Sequence, residues 1–508
     1  MKILLITDLY PIRSGESNSP RTLHNFVLEW IKQNNVVDVI KPNFIFNSIL
    51  RSKPLYKTGF YEFEGVKIFN VNYFTPFLFN IEKKLTNPHV FARNGSSTLT
   101  KIFHRSSGFS PESENVTQDC ETLQLVSRRI IQDNLPQDSQ EIASVNNLCE
   151  TPSLMSRNDD SYDLIIAHMP SGIIFANNLI DKKEKRERKK EIEAKSKKQK
   201  VKSDDSTFYP LPFAFCSENT TLQSSNPPLI CGVHSSDIEV LTNPLYKLYF
   251  KPQLEQAYSK AQKIACRSHV LQKKFAELYP GLAEKTFVAA SGVNIKKEEI
   301  ENGEQGFEAK SQKQKAKSNE STFGLLPLAF YPENPSPIKV LTCANLIKRK
   351  NIDKLILAIK DLEGFELTII GDGKELKGLK KISRSGILAR QQKVKFLGKL
   401  PQEKVFEQMQ NSHIFILPSM NETFGMVYLE AMANGCVTVC SKNDGIDGII
   451  KDGENGFLTP STIEGIKETL FKIKDFENLD KIVENSLATV KNYTPELCAQ
   501  NYLENCQK

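Results

Sequence analysis

Residues Pro418–Gly435 read PSMNETFGMVYLEAMANG. They follow the apolar run HIFILPS (413–419), whose length and unbroken hydrophobicity suit a strand buried on both faces. The segment then passes through a polar loop and opens a helix predicted over Gly425–Asn434. Glu422 falls in the loop and Glu430 one to two turns into the helix, with seven residues between them. The first backbone N–H groups of a helix lack intrahelical partners, so the amides around Thr423, Phe424, Gly425, Met426 and Val427 predict an anion site reinforced by the helix dipole. Gly425 would let a phosphate approach closely. Glu430 would accept hydrogen bonds from ribose hydroxyls, and Glu422 would face the reacting group. The plain alternative is one carboxylate favouring the helix dipole and one solvated helical Glu. The strand, loop and helix together favour the ligand site.

Working outward, the same alternation repeats. The second half predicts strands at IKVLTCA (338–344), ELTIIGDG (366–373), VKFLGK (394–399), HIFILPS and CVTVCSK (436–442), with helices at Lys350–Leu362 and Gln402–Gln410. The first half predicts strands at KILLIT, VVDVI, DLIIAHM (163–169), LICGVH (229–234), KIACRS (263–268) and TFVAASG (286–292). Apolar strands separated by helices indicate parallel sheets covered on both faces. Two such sets in series predict an α/β protein with two Rossmann-like domains.

The motifs resemble those of GT-B-fold glycosyltransferases of family 4. These are retaining enzymes that use a nucleotide-diphosphate sugar. The resemblance spans the chain outside its insertions and is strongest over Ile338–Leu458. It implies two Rossmann-like domains with parallel sheets facing a central cleft. The family's paired glutamates fall on Glu422 and Glu430. Its basic motif aligns with ANLIKRKNID (Ala344–Asp353), which puts the diphosphate-binding lysine at Lys350. Asn345 stands where the family usually has Arg, with Lys348 or Arg349 available to compensate. Gly371 and Gly373 of IIGDG match a turn beside the nucleotide. VKFLGKLP, with Leu397, resembles the segment that holds the base. GVHSSDIEV (Gly232–Val240) places His234 toward the transferred sugar, with Asp237 nearby; a satisfied core or cap residue is the plain alternative. His168 in IAHMPSG is a weaker candidate. Gly15 and Ser17 occupy the first loop, where the family's Gly-rich loop approaches the sugar. DGENGFL (Asp452–Leu458) resembles a structural hairpin of the family, and SGVNIKK (Ser291–Lys297) a linker start.

The implied chemistry is transfer of a hexosyl group to a saccharide or lipid-linked acceptor with retention of configuration, in bacterial cell-envelope polysaccharide synthesis. Glu422, His234 and Lys350 would carry it. Cationic side chains and helix-terminal amides can neutralise a leaving diphosphate, so no metal or other cofactor is expected. The alternatives are a sugar-nucleotide 2-epimerase-like isomerase and a non-catalytic nucleotide-sugar-binding relic.

Three stretches fit neither pattern. Glu193–Asn219 and Glu308–Asn334 share 18 identities in 27 ungapped positions. One such pair is not a solenoid. Both read as inserted elements in surface loops, where added length costs little. A Ser/Asn/Gln/Asp-rich stretch at about 94–160 reads as a third insertion. The expected organisation is an acceptor domain over 1–296 with insertions at about 94–160 and 183–227, an inserted linker over 297–335, a nucleotide-sugar domain over 336–485, and a C-terminal helix over 486–508 that returns to the N-terminal domain.

The 508 residues carry a formal net charge of +7. Lys182–Lys202 alone holds 12 Lys/Arg against 4 acidic residues, net +8, so the remainder is close to neutral. A nucleic-acid partner therefore has little support. No run of 18 apolar residues predicts a membrane span, and MKILLITDLYP reads as a first strand rather than a signal peptide. Ten dispersed cysteines suit buried free thiols in a reducing compartment. The expected location is cytoplasmic, with peripheral contact at the inner membrane's cytoplasmic face left open.

Overall fold

A computed structural model describes residues 1–12, 21–44, 59–73, 162–202, 227–242, 244–293, 337–360, 362–384 and 393–508. The expected insertion at 94–160, the segment 203–226, the linker 297–335, and Gly15 and Ser17 lie outside them.

In chain order the elements are β1 (Lys2–Thr7), α1 (Thr22–Lys32), β2 (Val36–Phe44), β3 (Gly59–Phe63), β4 (Val66–Tyr73), β5 (Leu164–His168), α2 (Met169–Lys202), β6 (Leu229–Val233), α3 (Ser235–Thr242), α4 (Pro244–Lys260), β7 (Lys263–Cys266), α5 (His269–Leu278) and β8 (Thr286–Val288). Then follow β9 (Ile338–Cys343), a single 3₁₀ turn (Lys348–Lys350), α6 (Ile352–Lys360), β10 (Phe365–Ile370), α7 (Leu376–Ser383), β11 (Val394–Gly398), α8 (Gln402–Gln410), β12 (Ile414–Leu417), α9 (Met426–Ala433), β13 (Val437–Ser441), β14 (Phe457–Thr459), α10 (Ile463–Lys474), α11 (Leu479–Val490) and α12 (Pro495–Gln507).

Contacts divide the chain into two units. The first comprises Met1–Pro20, Asn35–Pro228 and Pro244–Gln256; the second comprises Arg21–Asn34, Leu229–Asn243 and Ala257–Lys508. The boundary thus differs from a cut near residue 296, because β6, β7 and β8 group with the C-terminal half.

In the first unit the strands run β3-β4-β2-β1-β5. Pairing of β1 with β2, β1 with β5 and β2 with β4 is parallel. The edge strand β3 was not anticipated. It pairs antiparallel with β4 through a turn at Glu64–Gly65, so this sheet is mixed. Ile3, Leu4, Leu5 and Ile6 of β1 are at most 1% exposed, as a central parallel strand requires.

Helix α2 departs from the sequence reading. Its first turns bury Ile173, Ile174, Phe175 and Ala176, and the helix then continues through the Lys-rich run to Lys202 instead of ending in a surface loop. The reason is local. Lys, Arg, Glu, Gln and Ala are strong helix formers. Glu184 and Arg188 also have the favourable acid-before-base spacing of four. A search for apolar periodicity misses such a helix.

The second unit contains β6-β7-β8 as a parallel run and a six-stranded sheet ordered β11-β10-β9-β12-β13-β14. All pairings in the latter are parallel. Numbered from β9, this is the doubly wound order 3-2-1-4-5-6, which reverses direction between β9 and β12. Helix α6 shows why the pattern folds: Ile352, Leu355, Ile356 and Ile359 repeat at helical spacing and are at most 2% exposed.

The end of the chain forms two helices rather than one. Helix α12 packs on α1, where Trp30 Nε1 donates to the Ala499 carbonyl at 3.1 Å. Phe26, Trp30 and Phe287 each contact the Tyr502 ring at centroid separations of 5.4–5.6 Å. The seven described cysteines are free, and six are buried.

Candidate functional site

Ligands of doubly wound sheets bind outside the carboxyl ends of strands where the order reverses. Here that point lies between β9 and β12, whose following loops carry Lys350 and Glu422. Register places Val340 beside Ile414 and Leu341 beside Phe415, so the two loops leave neighbouring strand ends.

The loop after β9 tightens into the 3₁₀ turn Lys348–Lys350, capped by Asn351 with φ 51°. Asn351 Nδ2 donates to the Pro418 carbonyl at 2.9 Å, and the Met420 N–H donates to the Arg349 carbonyl at 2.7 Å. These bonds stitch the loops together. Lys350 Nζ then donates to Glu422 Oε2, and Arg349 Nη1 stands 3.7 Å from the same oxygen. The Lys350 and Glu422 side chains are 11% and 12% exposed. Arg349 is more exposed and donates to the Asn421 carbonyl at 3.1 Å. Lys348 and Asn345 are exposed on the same loop.

Gly371 and Gly373 belong here for steric reasons. The Gly371 φ is +130°, and a Cβ there would lie 1.8 Å from the Ala344 carbonyl oxygen. Leu346 N–H donates to the Asp372 carbonyl at 2.8 Å, so the turn after β10 lies directly against the loop that carries Asn345. Leu397, at the end of β11, is 39% exposed.

Helix α9 begins at Gly425, φ +91°, a conformation that suits glycine. No side chain caps this terminus, which leaves its first-turn amides open to an anion. Phe424 is 4% exposed and packs in the core, so it supports the loop from beneath. Met426 and Val427 are half-buried against the same core. Tyr428 Oη donates to the Leu417 carbonyl at 2.7 Å and pins the helix to β12. Glu430 accepts a hydrogen bond from Gln402 Nε2 at 3.1 Å. Burial pushes its carboxyl upward, and the Gln402 bond opposes this.

His234 follows β6. Its N–H donates to Asp237 Oδ2 at 2.9 Å, while the Asp237 N–H donates to the His234 carbonyl at 3.1 Å. The Asp237 carboxylate, in the first turn of α3, thereby takes up the backbone N–H of the residue that precedes the helix. Ser235 and Thr423 share a hydroxyl–hydroxyl hydrogen bond of 2.6 Å, which joins the neighbour of His234 to the neighbour of Glu422. Burial, then the nearby Arg267 guanidinium, lower the His234 imidazole to about 3, so it is neutral at physiological pH. His168 is wholly buried beside Thr7 of β1.

Asp444, Gln402 and Ser235 were not foreseen. Asp444 Oδ1 accepts from the Glu422 N–H at 2.9 Å and from the Gly445 N–H at 2.8 Å. The signal for it was an Asn-Asp-Gly turn directly after the apolar run CVTVCSK.

Residues 329–487 match the family model described as glycosyl transferases group 1. This segment is therefore similar to group 1 glycosyltransferase domains. Among curated proteins, the chain is 28% identical over 273 residues to an uncharacterized glycosyltransferase of Methanocaldococcus jannaschii, covering 53% of this chain and 66% of that one. It is 29% identical over 152 residues to the lipopolysaccharide core biosynthesis glycosyltransferase LpsE of Rhizobium meliloti, covering 30% and 41%. The chain thus spans less than two thirds of the length of these relatives. Among solved structures, HepE of Anabaena in complex with UDP aligns with a TM-score of 0.52 at 15% identity, over 100% of both chains. At that identity the likeness concerns the fold, which is GT-B.

Proposed function

We propose that the chain is a nucleotide-sugar-dependent glycosyltransferase of the retaining family 4 type. It would move a hexosyl group to a saccharide or lipid-linked acceptor of the bacterial cell envelope. The observation that carries this reading is the convergence of Lys350 and Arg349 on Glu422 at the switch point between β9 and β12. The LpsE match supports an envelope role, and the UDP bound by HepE supports a nucleotide-sugar donor.

The chemistry follows from the residues present. The α9 amides, Lys350 and Arg349 would take up the donor diphosphate and the charge that develops as the glycosidic C–O bond breaks. Glu430 would accept from the ribose hydroxyls. Glu422 would accept from the sugar. Neutral His234 would orient a hydroxyl or stabilise the oxocarbenium-like centre without adding repulsive charge. The acceptor oxygen would attack on the face the diphosphate leaves, passing its proton to the departing phosphate oxygen. We place the reaction on the cytoplasmic side of the inner membrane, and among the described residues no helix is long and apolar enough to cross a membrane.

A donor panel screened by thermal shift, followed by transfer to envelope lipid extracts, tests the proposal. Mass analysis should show one added hexose, NMR should show the donor's anomeric configuration retained, and EDTA should leave the rate unchanged. Interconversion of donor epimers without acceptor would make it an isomerase. Nucleotide binding without transfer or hydrolysis would make it a binding protein.

A further inference from the structure

We propose that Asp444 selects the sugar of the donor: one carboxylate oxygen holds Glu422 in place, and the other accepts a hydrogen bond from a sugar hydroxyl. This rests on the glycosyltransferase reading above and adds a residue to its donor site.

Asp444 lies three residues beyond β13, and Glu422 lies five beyond β12. The two strands are adjacent and parallel, with Leu417 beside Cys440, so both carboxylates leave neighbouring strand ends. The loops touch: a Cβ on Gly445 would lie 3.2 Å from Glu422 Cβ.

The two oxygens of Asp444 differ. Oδ1 is occupied by the amides of Glu422 and Gly445. Oδ2 takes no hydrogen bond from any described residue, and it is not sealed from solvent although the residue is only 8% exposed. An open carboxylate oxygen in such surroundings is a strong acceptor for a neutral hydroxyl donor. Its charged neighbours are Lys274 of α5, which favours the anion, and Glu422, which opposes it. Burial is the larger influence and raises the carboxyl above its ordinary value, while the two amides offset part of that rise. A group that must regain hydrogen bonds from its ligand discriminates strongly against an analogue lacking the hydroxyl.

The test uses calorimetric titration of the full chain with UDP- and GDP-linked hexoses, their deoxy analogues and the matching diphosphates. Asp444→Asn keeps an oxygen for the Glu422 and Gly445 amides but removes the charge. The expected result is diphosphate affinity within about twofold of wild type, with the advantage of the hexose-linked nucleotide over its diphosphate reduced about tenfold. In the wild type, one deoxy hexose should lose about tenfold or more, and Asp444→Asn should erase that loss. An unchanged hexose-to-diphosphate ratio in Asp444→Asn overturns the proposal and leaves Asp444 as a positioning residue alone. So does a wild type indifferent to every deoxy position, a readout that needs no variant to fold. If the wild type binds neither diphosphates nor nucleotide sugars, the glycosyltransferase reading itself fails.

Discussion

Lys350 Nζ bonds Glu422 Oε2, so the cation proposed for the diphosphate and the carboxylate proposed for the sugar neutralise each other. On the proposed function a donor would exchange the carboxylate for its diphosphate on Lys350 and so free Glu422 for the sugar. Glu422→Gln should therefore bind a nucleoside diphosphate several-fold more tightly than wild type while transfer falls by about 10²-fold or more. Lys350→Ala should weaken both. Titration calorimetry and initial rates separate the two, and weaker diphosphate binding by Glu422→Gln would rule out the exchange.

The Ser235–Thr423 hydroxyl bond spans the loops that carry His234 and Glu422. A neutral hydrogen bond contributes about 0.5–1.5 kcal/mol. Ser235→Ala should then lower kcat about two- to tenfold with little change in melting temperature. Wild-type kcat in that variant would show that the bond plays no part in turnover.

Protonation of His234 sets a pH dependence of stability. Its folded value of about 3 lies below the ordinary imidazole value of 6.5. Between those values the unfolded chain binds the proton and the folded chain does not, so stability falls as pH drops through that window. His234→Asn should flatten the melting-temperature profile between about pH 6.5 and 4. An equally steep profile in the variant would assign the acid sensitivity elsewhere.

Trp30 anchors α12 through the Ala499 carbonyl and the Tyr502 ring. Trp30→Ala should destabilise by about 3–5 kcal/mol, and Trp30→Phe by much less, because only the hydrogen bond and part of the contact are lost. Urea midpoints measure both.

Much of this architecture was legible. The apolar runs located the strands of both sheets except the β3–β4 hairpin and the short edge strand β14, and the helix Gln402–Gln410 matches its predicted bounds because polar ends flank a short apolar face. Glu422 stood out through its strand–loop–helix setting, and Lys350 through the resemblance of ANLIKRKNID to the family's basic motif. Their mutual bond was not visible, since it depends on strand order, which a parallel sheet hides from local sequence. Gln402 was hidden for a related reason: it meets Glu430 only through the packing of α8 beside α9. The Lys-rich part of α2 escaped because strong helix formers in a row leave no apolar periodicity to find.

The reversal of strand order between β9 and β12 has an evolutionary consequence. Lys350, Glu422 and Asp444 all stand on connections beyond the strand ends, while the β9, β12 and β13 strands beneath them place Val340, Leu341, Phe415, Ile416, Leu417 and Val439 in the buried core. On the proposed function, substrate choice and folding stability would thereby be held by separate sets of positions. A lineage could exchange one hexose for another by altering a few loop residues, without renegotiating the interior that keeps the domain folded.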